Sequence, residues 1–390
     1  MRFSAFTQAR VACAYFFLGP GLVYGMFTSR MPALTQQTGA NEAQIGLVLL
    51  CLGISGMFSL AVSSWIIDRF TSRAVLRISA PLLCLALPFA GLADSPLMLG
   101  LGCIAVGITM GFVDVSMNTQ AIQIERLFFR PCVSLMHASN SIGGIFGSLA
   151  GAVFAGCSTS PFINFCAVLS LYLILYPFVL THMQKDTPCR KKETASSAGH
   201  LPYFVLLCGL LATVAYSAEG SVAEWGSLLL FSEKGASEFT SALVYGAFSI
   251  TMAIGRIASD RLRCESGDFP LLLSGSCLAL VGMVTVLLSP WPAFCLFGYT
   301  LMGLGLAPLV PIFFSRAGNT PGVSSSKASA IVAGMGYSGM LLFPPLLGWL
   351  AHNVGLGKAL LTIPVFCMIL GVGAFRFRGG ERPDACGPLA

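Results

Sequence analysis

The chain has 390 residues, of which 55% are hydrophobic and only 10% charged, with a mean hydropathy of +0.81. That balance excludes a water-soluble core and any sizeable soluble domain, and it points to an all-α protein that crosses a membrane many times. The formal net charge of +6 is spread as an insertion signal and excludes a nucleic-acid footprint.

A helix needs roughly 20 apolar residues to cross a bilayer. Arg10 and Arg30 bracket the charge-free run Val11–Ser29, and Glu42 and Asp68 bracket Ala43–Ile67. Ile78–Ala93 and Ser95–Val113 flank Asp94, and the second run continues past Asp114 to Ile124. No Asp, Glu, Lys or Arg lies between Arg130 and Lys185, which leaves room for two spans turning at Gly156–Pro161. The remaining predicted spans are Leu201–Leu230, Phe239–Ala258, Phe269–Ser289, Pro292–Ser315, Ser329–Leu350 and Leu356–Phe375, twelve in all. Met1–Ala9 is short for a cleaved leader, so the first span is expected to act as the insertion signal.

With the N-terminus in the cytoplasm, all but three of the 22 Lys and Arg residues fall in cytoplasmic segments. The exceptions are Arg30, Lys234 and Lys358. Both termini are therefore expected inside. The longest hydrophilic stretch, 184–200, holds Arg190-Lys191-Lys192 and reads as a linker. It divides an N-terminal six-helix half, 1–183, from a C-terminal half with a short cytoplasmic tail, 201–390.

The loop after the second span reads Asp68-Arg69-Phe70-Thr71-Ser72-Arg73, and the loop after the eighth reads Asp260-Arg261-Leu262-Arg263. Such a parallel repeat of six helices resembles the major facilitator transporters. Their loop signature places Gly, three residues, Asp, a basic residue, one residue, Gly, one residue and a basic residue. This chain keeps Asp68, Arg69 and Arg73, with Ser64 and Thr71 at the glycine positions, and Gly255-Arg256 with Asp260-Arg261 resembles the second copy. The resemblance implies twelve helices in two pseudo-symmetric halves. It also implies a cytoplasmic latch in which Asp68 faces the other half and Arg69 and Arg73 pair with carboxylates such as Glu125. The alternative is that these arginines are topology charges only.

Further stretches resemble bacterial inner-membrane permeases near the fucose permease. They are Asp114-Val115-Ser116-Met117-Asn118, Met136-His137-Ala138-Ser139-Asn140, Ala218-Glu219-Gly220 with Glu224-Trp225, Gly303 to Pro311, and Gly336-Tyr337-Ser338-Gly339. The fucose permease itself uses one carboxylate on its first helix and one on its fourth for proton coupling and sugar binding. The resemblance gives Asp114 the fourth-helix role; the first span here holds no acid.

An ionisable side chain at membrane depth marks a functional site by default. Gly107, Gly111, Asp114 and Asn118 share one helical face, suited to a cavity wall. Taking a carboxyl out of water favours its neutral form, which makes such a group a proton carrier. The alternative is an Asp–Asn hydrogen bond that locks packing. In the fifth span His137 and Asn140 lie on one face, and His137 either relays a proton from Asp114 or is structural. Gly143, Gly147 and Gly151 form a close-packing ladder on another face.

In the seventh span Glu219 lies roughly 27 Å along the helix counted from Leu201, in its outer third. Gly220 is a place where that helix can break. Glu219 is the second coupling candidate. Glu224, beside Trp225, is either a third or a residue at the water boundary. Tyr24, Thr28, Tyr216 and Tyr337 are candidate cavity groups. Pro308, Pro311 and Pro344-Pro345 are expected to kink their helices.

The 14 Cys include no CxxC pair, and neither disulfides nor a metal site is expected. No nucleophile–base arrangement and no phosphate-binding glycine loop occurs, so no enzyme activity, cofactor or ATP drive is expected. The reading is a monomeric secondary transporter in a bacterial inner membrane, in contact with lipid. It carries a small polar solute such as a sugar, inward and with a proton. The alternatives are an efflux antiporter for amphipathic compounds and a non-transporting sensor; a channel fits the two-half repeat least.

Overall fold

The computed structural model describes residues 5–128, 133–184, 202–321, 323 and 325–378; at Ser64, Asp68, Ile122, Glu125, Arg126, 133–135, Asp260, Cys264, 325–327, 329 and 330 it describes the backbone alone. Among the described residues every regular element is helical. The first seven helices are α1 (Ala5–Ser29), α2 (Met31–Thr38), α3 (Glu42–Phe70), α4 (Ser72–Gly91), α5 (Pro96–Phe128), α6 (Val133–Gly156) and α7 (Pro161–Thr181). Then come α8 (Tyr203–Ser232), α9 (Glu238–Ser266), α10 (Asp268–Leu288), α11 (Pro292–Leu306), α12 (Leu309–Gly318), α13 (Ser325–Val354), α14 (Leu356–Ala359) and α15 (Thr362–Ala374), closed by a 3-10 turn, Phe375–Phe377. Beyond Gln184, the linker expected over 184–200 lies outside the described residues.

Among the described residues twelve segments are long and apolar enough to cross a membrane, and the chain is an all-α multi-pass membrane protein. They follow the predicted spans in order. The predicted ends are mostly short, because a charge ends an apolar run without ending the helix: α9 continues through Asp260–Arg263 to Ser266. The amphipathic α2 is an addition, too polar to register as a span. Gly39 caps it in the left-handed region (φ 63°), and Gln37 donates to Gly91 O and Ala93 O at 3.0 and 2.6 Å, closing the end of α4.

Of the expected bends, the one at Pro308 is a true break, a turn at Ala307–Pro308 between α11 and α12. By contrast α13 runs unbroken through Pro344-Pro345, and α8 runs unbroken through Gly220. The break expected at Gly220 does not occur, since a 30-residue helix keeps all its interior backbone groups bonded without help from neighbours.

The chain divides into two compact units, residues 1–194 with 237–246, and 195–236 with 247–390. In the first, α1 packs on α6, α3 on α5, and α4 on α7. In the second, α8 packs on α13 and α10 on α15, while Gly303 and Gly255 seat α11 against α9. First with fifth, second with fourth and third with sixth is thus the order in both. The α1–α6 seam is built from glycine: a Cβ at Gly21, Gly25, Gly143 or Gly147 would run into the facing backbone. With no hydrophobic drive between helices in lipid, such close approach is what holds them together. Outward-facing Phe58, Ile174, Ile257 and Leu288 are exposed, as a lipid-facing surface requires.

The start of α9 belongs to the first unit. Ser148 Oγ donates to Ala242 O at 2.8 Å and accepts from Gly246 N at 3.0 Å, inserting into the ladder of α9. Nearby, Arg30 is 1% exposed, lies 3.1 Å from Glu238 Oε1, and donates to Thr159 O.

A single residue joins α3 to α4 and α9 to α10. Gly267 has φ 84°, ψ 177°, and Thr71 has φ 81°, ψ 151°, a region essentially reserved for glycine. Thr71 therefore holds the strained turn at which the loop signature has its second glycine. Its hydroxyl accepts from Ala74 N at 3.3 Å and caps α4. The matching turn at Gly267 falls one helical turn later, relative to Asp260-Arg261, than Thr71 does relative to Asp68-Arg69. The repeat is therefore aligned by its turns and not by its Asp-Arg pairs.

Relieving that strain with Thr71→Gly is expected to stabilise the fold by about 1 kcal/mol, and Gly267→Thr to destabilise it by about 1–3 kcal/mol. Thermal unfolding in detergent checks both; a lowered midpoint for Thr71→Gly would show the turn to be unstrained. At the α1–α6 seam, Gly147→Val should cost about 1–3 kcal/mol by overpacking. Gly334→Ala, where a Cβ meets nothing within 4 Å, should stay within about 0.5 kcal/mol of the parent.

Candidate functional site

In the first unit the polar interior centres on α5. Four-residue spacing puts Asp114 and Asn118 on one face, and Asn118 Nδ2 donates to Asp114 O at 2.9 Å and to Asp114 Oδ1 at 3.4 Å. Asp114 is half-buried. The same face does not continue as a cavity wall. A Cβ at Gly107 or Gly111 would strike Ser55, Ser59 and the backbone of α3, and Ser59 Oγ donates to Gly107 O at 3.4 Å. The two glycines let helices touch, which leaves Asp114 and Asn118 as the polar part of that stripe.

On α6, His137 is exposed and meets the Phe17 ring edge-to-face at 5.3 Å. Asn140 is half-buried, with its carbonyl against Gly21. On α1, Tyr24 lies edge-to-face on Tyr245 at 5.5 Å. Thr28 is fully buried and donates to Tyr24 O and Gly25 O at 3.0 and 3.3 Å, so its hydroxyl serves its own helix.

The second unit brings four of the expected residues together. Glu219 sits just past the midpoint of the 30-residue α8, not in its outer third, because the helix runs on to Ser232. Arg256 Nη2 of α9 lies 3.4 and 3.5 Å from the two Glu219 carboxylate oxygens. The side chains are 42% and 24% exposed, respectively. Tyr216, one helical turn before Glu219, stacks on Tyr337 of α13 with ring centroids 5.8 Å apart and 25° between planes. Gly336 makes room for this, since a Cβ there would press into the Tyr216 ring. Thr213 Oγ1 donates to Met335 O at 2.8 Å and anchors the two helices below the pair.

The loosely bonded, half-exposed ion pair adds only about 0–1 kcal/mol to stability. A charge in mid-helix is nevertheless costly wherever lipid can reach it. Beside the pair the two phenols present flat apolar faces with hydrogen-bonding tips.

Glu224 and Trp225 are 5% and 0% exposed. Both are packed inside the unit. Arg256, expected in the latch, is drawn to Glu219. Of the other latch residues, Arg73 donates to Leu180 O at 3.1 Å at the end of α7. Arg69 is exposed with its guanidinium 5.7 Å from the Phe70 ring. Arg261 pairs with Glu265 of its own helix at 2.9 Å. The side chains of Asp68, Glu125 and Asp260 lie outside the described residues.

Two ionic groups were not anticipated. One is the Arg30–Glu238 pair; the signal for it was Arg30's breach of the charge asymmetry. The other is Asp268, 1% exposed, which takes Arg263 Nε at 2.6 Å and also Arg316 Nε. In the sequence Arg263 read as part of the repeated loop, and Asp268 and Arg316 only as charges bounding spans.

Residues 11–321 match the sequence profile of the Major Facilitator Superfamily. An uncharacterized MFS-type transporter of Yersinia pestis is 28% identical over 90% of this chain and 91% of its own length. Membrane protein MosC of Rhizobium meliloti is 31% identical over 90% of this chain and 86% of its own. Among solved structures, a bacterial homolog of the human lysosomal transporter Spinster has a TM-score of 0.78 at 13% identity, covering 96% of this chain and 97% of that one. The nucleoside transporter NupG has 0.73 at 16% (96% and 98% covered), and a D-xylose-proton symporter has 0.73 at 13% (96% and 98%). Those structures share the fold, the profile spans most of the chain, and the chain belongs to the Major Facilitator Superfamily.

Proposed function

We propose that this transporter is a secondary carrier that moves a small polar solute, of the sugar class, inward with a proton by alternating access. It does so as a monomer in a bacterial inner membrane, with both termini in the cytoplasm. The observation that carries the reading is the Glu219–Arg256 pair beside the stacked Tyr216 and Tyr337. The guanidinium is a fixed donor for solute oxygens, and the phenols offer faces for a ring and hydroxyls for its rim. Glu219 competes with the solute for Arg256. A proton on Glu219 removes that competitor and frees Arg256 to donate elsewhere, which ties solute binding to proton binding. Asp114, held by Asn118 in the other unit, is the second carboxyl, with His137 as its relay to water. The stretches that resemble the fucose permease group favour a sugar, and the shared fold of a nucleoside transporter and a xylose–proton symporter suits solutes of that polarity.

The test is proton movement in reconstituted vesicles challenged with sugars, polyols, nucleosides and organic acids. One of them should alkalinise the outside in wild type. Glu219→Gln, a permanently neutral side chain, should abolish the solute-driven proton signal while solute exchange persists. Arg256→Gln should weaken solute affinity about tenfold or more, the cost of losing a charged hydrogen bond. Asp114→Asn should flatten the dependence of uptake on external pH. If no compound moves protons and all three variants match the parent, import by symport is wrong and efflux or a sensing role takes its place.

A further inference from the structure

At one end of the second unit, where the spans Tyr203–Ser232, Pro292–Gly318 and Leu356–Phe377 meet, there is a cavity of about 510 Å3. Three arginines line it: Arg316 from the last turns of α12, and Arg376 and Arg378 from the turn after α15. Asn319 and Thr320 add polar groups, and Phe377 an apolar floor. Nothing in solute transport uses these residues.

Asp268 is shared between Arg263 and Arg316. Among the described residues no carboxylate comes within ion-pair distance of Arg376 or Arg378. Topology alone explains why basic residues are present at this end, but it asks nothing of their geometry. Here the geometry is set: Arg316 is held by Asp268, and the Arg378 guanidinium lies 4.8 and 5.0 Å from the Phe269 and Phe375 rings. Guanidinium forks match the oxygens of a phosphate, which takes two N–H donors from each fork. The cavity also lies where apolar spans end, at the depth of lipid headgroups, and has phenyl rings beside its charges. Basic pockets in that position are suited to anionic lipid headgroups.

We propose that this cavity binds the phosphate of an anionic phospholipid, with Arg376 and Arg378 as its principal donors and Arg316 completing the site. A soluble phosphate compound would share the recognition chemistry, and the test separates the two. The purified full-length protein in neutral detergent is titrated with phosphatidylglycerol, phosphatidylcholine or inorganic phosphate, and bound lipid is read by native mass spectrometry alongside the thermal midpoint. Phosphatidylglycerol should bind saturably and raise the midpoint, with no such effect from phosphatidylcholine or phosphate. Arg376→Gln/Arg378→Gln should weaken that binding by about fivefold or more, with its lipid-free midpoint unchanged, since both side chains are exposed. Arg376→Lys/Arg378→Lys keeps the charge and loses the forks; it should fall between the two and serves if the first variant folds poorly. Arg77→Gln, an exposed arginine of the other unit, should bind as wild type does. Equal lipid affinity in wild type and both double variants overturns the site. An equal loss in Arg77→Gln shows diffuse attraction and overturns it too. A saturable, Arg376- and Arg378-dependent effect of inorganic phosphate equal to that of the lipid overturns the lipid assignment.

Discussion

A bilayer core offers no water to a backbone N–H, a hydroxyl or a carboxylate, and the rest of this molecule follows from that constraint. Backbone groups are closed within helices. Side-chain hydroxyls turn back onto carbonyls three or four residues earlier, as at Thr28, Ser59, Thr109, Thr119, Ser217 and Ser221. Helices that gain nothing by hiding apolar surface from lipid must associate through contact, and glycine allows the approach. The α1–α6 seam and the α3–α5 contact at Gly107 and Gly111 are two results of this one rule.

The same constraint sorts the charges. Arg30 and Asp268 are almost wholly buried, and each is met by an opposite charge held close. Removing one partner of such a pair typically costs about 3–5 kcal/mol, since the other is left buried alone. Glu219 and Arg256 differ: their contact is longer, both are partly exposed, and the pair contributes little to stability. An ion pair that is cheap to open yet stands in mid-helix is suited to exchanging its partner. That difference in magnitude, more than the mere presence of charge, separates the functional candidate from the structural ones.

The hydrophobic spacing made the twelve spans legible, along with the turn at Gly156–Pro161 and the break at Pro308. Helix α2 was not legible, because its Gln and Thr content hides it from a span-length reading. The unbroken course of α13 through two prolines was equally hidden, since whether freed carbonyls find partners depends on neighbouring helices. At the site, Asp114, Glu219, Tyr216 and Tyr337 were legible as polar groups out of place. Their grouping was not: Arg256 read as a latch charge near the cytoplasmic end of its span, and only the approach of α9 to α8 places it beside Glu219.

What the sequence determined by itself is the number of crossings, their all-helical nature and the asymmetry of basic residues, because transfer of side chains between water and lipid is an additive, local property. The loop signature likewise marked a turn that favours glycine, occupied here by Thr71. What only the tertiary structure decided is which charges meet. Glu219 with Arg256, Arg30 with Glu238, and Asp268 with two arginines depend on the separation and rotation of helices, which packing at the glycine contacts sets and no run of neighbours along the chain records.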